Sequence, residues 1–207
     1  MRNNQLRILG LHGYHGSAAI LRSQMAGLVA AMPPDIEFVY VDAPSLARRD
    51  FGWWHEGFAG WERTLSWAVD LLDSQPRFDG LFGFSQGAAL TGLLAAANES
   101  ELGDPGQPWF DFAVMVGGFK SDSLQHADFF NKELALPSVH VMGRSDGIVP
   151  IGDSRVLASQ FRDPLVLEHS GGHVVPGVDA VTAPLDRFLT DRLSSSSEDQ
   201  PETAHHG

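Results

Sequence analysis

Short apolar runs recur along the chain and alternate with segments of helical spacing, and this alternation restricts the fold more than any other feature. The runs are rich in leucine, β-branched and aromatic residues. They are LRILGL (6–11), IEFVYV (36–41), FDGLFGF (78–84), the run at 112–116, SVHVMG (138–143) and PLVLEH (164–169). Runs of this length and composition are typical of strands buried on both faces. Helices between such strands predict parallel βαβ units.

The segments between the runs carry apolar residues at helical spacing. In 17–32, Ser17 is placed as an N-cap and Pro33-Pro34 as a stop. Further helices are predicted at 61–73, 85–98, 154–161 and 178–193. We therefore predict an α/β fold, a doubly wound and mostly parallel sheet with helices on both faces. A single domain is predicted over 1–193, followed by a polar, disordered C-terminal tail at 194–207.

The length of 207 residues suits one domain, and the composition disfavours several kinds of partner. The formal net charge of −12 argues against binding to nucleic acid or to anionic membranes. The chain has no cysteine, which excludes disulfides, thiolate metal sites and a cysteine nucleophile. The apolar run Ile8–Leu11 is too short for a signal-peptide core. We expect a cytoplasmic protein, whose oligomeric state the sequence leaves open.

The sequence GFSQG, Gly83 to Gly87, has the form G-x-S-x-G and lies between a predicted buried strand and a predicted helix. In that setting the serine lies at the apex of a sharp turn, where side chains at the two glycine positions would be too crowded. The helix N-terminus adds free N–H groups, which favour a developing oxyanion. The pattern alone is weak, because a turn capped by serine has the same form. Its setting favours Ser85 as a nucleophile.

A serine nucleophile needs a base, and the base needs an acid that orients it. In sheets of this kind the three follow successive strands in the order serine, acid, histidine. Asp146 lies in the loop after the run 138–143, and His173 lies in the loop after 164–169. Taken singly, each could be an ordinary turn aspartate or a solvated loop histidine. Because all three residues follow predicted strands in the required order, we predict a triad of Ser85, Asp146 and His173.

Other titratable residues nearby have weaker claims to catalysis. Asp153 and Asp179 are rival acids, but each is placed to cap a following helix. His169 stands four residues before His173, which is the spacing of a metal-binding pair on a helix. The intervening Ser170-Gly171-Gly172 disfavours a helix, so we expect His169 to pack or to form hydrogen bonds at a strand end. No metal and no organic cofactor is predicted.

The oxyanion hole needs one N–H donor from the residue after the nucleophile and one from the loop after the first strand. These donors are the backbones of Gln86 and Tyr14, and Gly13 gives the backbone close access to the acyl group. His12 is expected to have a structural role.

The stretch 42–61 is too aromatic for an ordinary solvated loop. We interpret Trp53 and Trp54 as an apolar wall of an acyl pocket that Phe119 and Val149 complete. The alternative is that Trp61 and one other of these aromatic side chains pack the helix onto the sheet. Three arginines lie near predicted strand ends, namely Arg48, Arg49 and Arg144. They are either contacts for an anionic substrate group or ordinary surface charges.

Several motifs together resemble the FSH family of serine hydrolases, a branch of the α/β-hydrolases, over most of residues 6–190. They are LHGYHGS, FVYVDAP, FGWW, GFSQGA, VGGF, HVMGRSDGIVP and HSGGHVVP. The resemblance implies an α/β-hydrolase fold, a triad on Ser85, Asp146 and His173, and oxyanion donors on Tyr14 and Gln86. It also implies hydrolysis of carboxylic esters or thioesters, often of alkyl or polyketide acyl groups, without a cofactor.

The sequence therefore predicts a serine hydrolase that cleaves esters or thioesters of apolar acyl groups through an acyl-enzyme. An acyl or polyketide thioesterase is one form of this activity, and a carrier-bound acyl chain is one candidate substrate. Two alternatives stay open. One is an amide or peptide hydrolase of the same fold, and the other is an inactive binding module on a hydrolase scaffold.

Overall fold

A six-stranded, fully parallel sheet lies at the centre of the fold. The computed structural model describes residues 5–45, 52–100 and 107–198. The strands are β1 (Leu6–Leu11), β2 (Ile36–Val41), β3 (Gly80–Phe84), β4 (Phe112–Val116), β5 (Ser138–Gly143) and β6 (Leu165–His169). The helices are α1 (Ala18–Gln24), α2 (Ala26–Val29), α3 (Trp61–Ser74), α4 (Gln86–Asn98), α5 (Ile151–Ala158) and α6 (Asp179–Glu198). The predicted α/β sheet is confirmed.

The strand order is β2-β1-β3-β4-β5-β6, so the direction of chain progression reverses between β1 and β3. At such a reversal the loops that leave two neighbouring strands diverge to opposite faces and leave a crevice at the carboxyl ends of the strands. The loop after β1 and the turn after β3 flank this crevice. Leu11 of β1 is paired with Gly83 of β3 at its edge.

Both faces of the sheet are covered by helices, as the sequence predicts. On one face α3, α4 and α5 pack with Leu9 and Leu11 of β1. On the other face α1, α2 and α6 pack with Leu6 and Ile8 of the same strand. Alternate residues of one strand therefore enter different apolar layers, which is why the strands read as continuous apolar runs. Helix α4 is buried at every residue.

Two predicted helices have different bounds in the structure. The helix predicted at 17–32 is divided at Met25 into α1 and α2, and Gly27, a poor helix former, lies just beyond the break. Ser17 caps α1 as predicted, since its hydroxyl accepts a hydrogen bond from the N–H of Ile20. The helix predicted at 154–161 begins earlier, at Ile151, because Pro150 forms its N-cap. Asp153 therefore lies in the first turn of α5 and is not its cap.

The last helix is longer than predicted. It continues through Pro184 and beyond Leu193 to Glu198, because no glycine or proline follows until Pro201. The first residues of the predicted tail are thus helical, and 199–207 lie outside the described residues. Among the described helices, none combines the length and apolar character needed to cross a bilayer.

His140 in β5 makes the stability of the fold depend on pH. Its side chain is buried against Phe161, with ring centroids 5.0 Å apart, and burial lowers its pKa to about 3. An unfolded histidine has a pKa near ~6.5, so below that pH the unfolded chain binds a proton that the folded chain excludes. Stability should therefore fall as the pH drops from about 6.5 towards 3, by up to ~1.4 kcal/mol per pH unit from this residue.

His140→Gln should reduce this slope, as measured by urea unfolding at several pH values between 6.5 and 4. Ser138→Ala is the matched control, since it removes the hydroxyl that lies 3.2 Å from His140 Nε2 but leaves the buried imidazole in place. The control should change stability without changing the slope. Equal slopes in His140→Gln and the unsubstituted protein would contradict the prediction.

Candidate active site

Ser85 occupies a strained turn between β3 and α4. Its backbone has φ 56° and ψ −119°, a conformation that costs a non-glycine residue on the order of 1–3 kcal/mol. The turn is held by a hydrogen bond from the N–H of Ser85 to the carbonyl of Val116 at 2.9 Å. It also depends on Gly87, where a Cβ would lie 2.1 Å from the carbonyl oxygen of Leu11. The turn thus presents the Ser85 hydroxyl, which makes no hydrogen bond to any described residue.

Asp146 lies in the loop after β5, with its side chain only 2% exposed. One carboxylate oxygen accepts the N–H groups of Ile148 (2.9 Å) and Val149 (2.8 Å), and the other lies 2.7 Å from Nδ1 of His173. Burial by itself would raise the pKa of Asp146. The hydrogen bonds from His173 and from the two backbone N–H groups outweigh burial and hold its pKa below the usual range. The carboxylate is therefore ionised and fixed in orientation.

His173 lies in the loop after β6, next to the turn that holds Ser85. Its ring lies over Phe84, the residue before Ser85, with centroids 4.8 Å apart. Nδ1 faces Asp146, which leaves Nε2 without a hydrogen bond to any described residue. With Nδ1 protonated, Nε2 has a free lone pair and can accept a proton.

The loops that carry Asp146 and His173 are joined by backbone hydrogen bonds. The N–H of Arg144 donates to the carbonyl of His169 at 2.8 Å, and the N–H of Ser145 donates to the carbonyl of Gly171 at 3.1 Å. These bonds continue the pairing of β5 with β6 past the strand ends. The separation of Asp146 from its histidine is therefore set by the register of the sheet.

His169 has a different environment from His173. Its ring Nδ1 accepts the N–H of Gly171 at 3.1 Å, and burial lowers its pKa. The side chain is thus a neutral acceptor that supports the turn between the two histidines. Within 5–45, 52–100 and 107–198, no group of three or more histidine, aspartate or glutamate side chains is arranged to hold a metal ion.

The backbones of Tyr14 and Gln86 flank Ser85, and both residues line the same cleft. Neither N–H has a hydrogen-bond acceptor in the described part of the chain. Gly13 brings the first loop against the turn, since a Cβ there would lie 3.1 Å from Cβ of Ser85. His12 is fully buried and has the structural role expected of it, with Nδ1 2.8 Å from the carbonyl of Gly13.

The cleft beside Ser85 has a volume of about 550 Å³ and a mostly apolar wall. Phe119 and Val149 line it, as the sequence suggests. Sequence reasoning missed five further lining residues, which are Lys120, Asp122, Ile148, Asp153 and Val156. Two of them could have been found, because Ile148 adjoins Val149 and Lys120 adjoins Phe119 in the sequence. The wall of the cleft is therefore mostly apolar, with charged side chains at Lys120, Asp122 and Asp153.

Trp53 and Trp54 do not line the cleft, which corrects their assignment to the acyl pocket. They are 1% and 6% exposed and pack in the apolar layer beneath it. Trp54 packs against Phe58 and Trp61, with centroids 6.2 and 5.9 Å apart. Packing, the alternative interpretation of the aromatic stretch, therefore describes both residues.

Arg144 is an ordinary surface charge. Its guanidinium contacts Glu168 at 3.0 Å, and Glu168 also pairs with Arg155 at 2.6 Å. The other two arginines considered as contacts for an anion, Arg48 and Arg49, lie outside the described residues.

Comparison with known proteins shows the family to which the chain belongs. The model of the serine hydrolase family FSH1 matches residues 1–184. Esterase OVCA2 of Xenopus tropicalis is 34% identical over 223 residues, which cover 89% of this chain and 94% of that protein. Esterase OVCA2 of Homo sapiens is 33% identical over 205 residues, covering 83% of this chain and 89% of the human protein.

Among solved structures, acyl-protein thioesterase 2 of Zea mays superposes with a TM-score of 0.64 at 20% identity. The match covers 91% of this chain and 94% of the maize chain, and it shows the shared α/β-hydrolase fold. The fold, the family model and the curated relatives all agree, and the chain belongs to the FSH1 family of serine hydrolases.

Proposed function

We propose that this serine hydrolase cleaves carboxylic esters or thioesters of apolar acyl groups, with Ser85 as nucleophile, His173 as base and Asp146 as the acid that orients the base. The observation that carries the proposal is the 2.7 Å contact between Asp146 and Nδ1 of His173, beside a serine held in a strained turn. A strained serine is expected where its exposure serves chemistry.

In the first half-reaction Ser85 Oγ attacks the acyl carbonyl carbon while Nε2 of His173 takes the hydroxyl proton. Asp146 keeps the proton on Nδ1 and stabilises the imidazolium that forms. The ionised state of Asp146 suits this role, because the hydrogen bonds that lower its pKa also fix its direction. The carbonyl oxygen becomes an oxyanion, which the N–H groups of Tyr14 and Gln86 stabilise.

The tetrahedral intermediate then collapses to an acyl-enzyme. The imidazolium of His173 donates its proton to the leaving alkoxide of an ester, whereas a thiolate leaves with less assistance. In the second half-reaction His173 removes a proton from water, and the hydroxide attacks the acyl carbon on Ser85. The intermediate releases the carboxylic acid as the proton returns to the serine oxygen.

The cleft supports an apolar acyl group as the part of the substrate that is recognised. Phe119, Ile148, Val149 and Val156 line it beside Ser85, and a volume of about 550 Å³ lies within the ~300–1,000 Å³ of small-molecule sites. A small-molecule ester or thioester fits this space, and an acyl chain borne by a carrier could enter through the open side. The maize acyl-protein thioesterase has the same fold as this chain, but at 20% identity it does not identify the substrate.

Ser85→Ala should lower kcat by several orders of magnitude, on the order of 10⁶ in a comparable triad, because no other group can form the acyl-enzyme. The measurement is hydrolysis of a 4-nitrophenyl acyl ester together with labelling by a fluorophosphonate probe. The variant should fold normally and resist the probe. Absence of labelling in the unsubstituted protein would instead indicate an inactive binding module, and near-full activity in Ser85→Ala would exclude this nucleophile.

His173→Ala should abolish hydrolysis with little change in stability, whereas His169→Ala should mainly lower the melting temperature. The reason is that His173 alone faces the ionised Asp146, and His169 supports a turn by accepting a backbone N–H. Steady-state kinetics and thermal unfolding of the two variants provide the comparison, and EDTA should not affect the unsubstituted protein. Equal losses of kcat in both variants would contradict the assignment of the base.

A panel of acetyl to octanoyl esters and thioesters should show rates that increase with chain length, because each added methylene buries apolar surface in the cleft.

Phe119→Ala should reduce the ratio of kcat/KM for octanoyl over acetyl esters about tenfold. Val166→Ala, on exposed surface away from the cleft, is the control and should keep the ratio. Faster cleavage of the matching amides than of the esters would favour an amide hydrolase, and a flat panel would contradict the acyl preference.

A further inference from the structure

Trp53 and Trp54, hereafter the tryptophan pair, lie between the two backbone segments that carry the proposed oxyanion donors. On the side of the first segment, the indole N–H of Trp53 donates to the carbonyl of His12 at 2.6 Å. Its ring also stacks on the imidazole of His12, with centroids 4.8 Å apart and an angle of 30° between the planes. Trp53 is thus attached to the residue two positions before Tyr14.

On the other side, the side chain of Gln86 uses both ends of its amide on the tryptophan pair. Its Oε1 accepts the backbone N–H of Trp53 at 2.9 Å, and its Nε2 donates to the carbonyl of Trp54 at 2.8 Å. The side chain of one proposed donor residue is therefore committed to the pair, while its backbone N–H stays free beside Ser85.

Helix α3 holds the tryptophan pair in place. The hydroxyl of Thr64 on α3 donates to the carbonyl of Trp53, and Trp67 on the same helix packs on its ring with centroids 5.5 Å apart. Gly52 allows the segment to lie this close to both donor residues, since a Cβ there would stand 2.5 Å from the ring of Tyr14 and 3.0 Å from Oε1 of Gln86. The buried tryptophan pair therefore contacts both sides of the proposed oxyanion hole.

We propose that Trp53 is a positioning residue for the oxyanion hole, holding the Tyr14 N–H through the carbonyl of His12 and the Gln86 N–H through the Gln86 side chain. This inference rests on the proposed function. An oxyanion is stabilised only when its donors lie about 2.7–3.1 Å from it, so two donors on separate elements need a fixed separation. Among the residues that the structure describes, Trp53 forms hydrogen bonds to both elements.

The peptide that carries the Tyr14 N–H is held at its carbonyl, which belongs to Gly13 and accepts the N–H of Gly16 at 3.0 Å. The indole N–H of Trp53 holds the preceding peptide, at the carbonyl of His12. The ring of His12 is held at both nitrogens, with Nδ1 2.8 Å from the carbonyl of Gly13 and Nε2 accepting the N–H of Ala43 at 3.1 Å. The stacked indole of Trp53 keeps that ring in place, and its N–H fixes the adjacent carbonyl. Loss of the indole N–H therefore frees the His12 peptide while leaving the ring contact.

Trp53→Phe tests the proposal, because it removes the indole N–H but retains an aromatic ring and the backbone N–H that Gln86 accepts. Since the oxyanion exists only in the transition state, kcat should fall about 10- to 100-fold while KM stays within about threefold. An alkyl trifluoromethyl ketone supplies a second readout. Ser85 Oγ adds to its carbonyl carbon, the proton passes to His173, and the carbonyl oxygen becomes an oxyanion. Its inhibition constant should rise in parallel with the loss of kcat.

A matched control makes the same substitution elsewhere. Trp109→Phe removes an indole hydrogen bond to Asp73. This contact lies away from the cleft, because Trp109 precedes the amino end of β4 and the cleft lies beyond the carboxyl ends of the strands. The variant should keep kcat and the inhibition constant within about threefold of the unsubstituted protein, after correction for active sites titrated with the fluorophosphonate.

Gln86→Met provides an independent test if Trp53→Phe fails to fold, because it removes the two amide hydrogen bonds without removing the backbone donor. It should lower kcat with little change in KM, as Trp53→Phe does. The double variant should lose less than the product of the two single losses, since both substitutions release the same link.

The proposal is overturned if Trp53→Phe and Gln86→Met match Trp109→Phe in kcat per titrated site, or if KM rises and kcat does not fall. These outcomes differ from failure of the proposed function, in which the unsubstituted protein neither hydrolyses esters nor reacts with the fluorophosphonate at Ser85.

Discussion

The strained turn at Ser85 is the constraint on which the rest of the site depends. A serine with φ 56° is unfavourable by itself, so the conformation persists only where surrounding contacts leave no other. The contacts come from three neighbouring strands: β3 leads into the turn, β4 accepts its N–H through Val116, and the end of β1 lies against Gly87. The strand order that places β1, β3 and β4 side by side is therefore also the condition for the turn that presents Ser85, the proposed nucleophile.

The proposed acid and base depend on the same sheet through two further strands. Asp146 and His173 leave the adjacent strands β5 and β6, and backbone bonds between their loops carry the strand register into the site. The carboxylate oxygen not used by His173 is occupied by two backbone N–H groups, so it has no alternative orientation. Main-chain groups, which the fold itself positions, thus fix Asp146, and Asp146 in turn fixes the ring of His173.

The strands could be predicted because a parallel sheet buried on both faces leaves continuous apolar runs. The residues of the proposed triad were sought at the ends of these runs, where chemistry collects in such sheets. The tryptophan pair could not be placed in the same way. An aromatic stretch near a strand end has the same composition whether it lines a cleft or packs beneath it. What decides is the acceptor of the Trp53 indole, the carbonyl of His12, which lies 41 residues away in the chain. The predicted ends of some helices were wrong for local reasons. Helix α5, for example, begins earlier than predicted because Pro150 is its N-cap.

Helix α4 follows Ser85 and is buried at every residue, from Gln86 to Asn98. Its N-terminus cannot shift unless the layers around it separate, so the turn at Ser85 is insulated from changes at the surface. The cleft, in contrast, is built largely from loops and from α5, whose Val156 is half exposed. Substitutions in the cleft wall can therefore alter which molecules fit the cleft while the turn at Ser85 keeps its geometry.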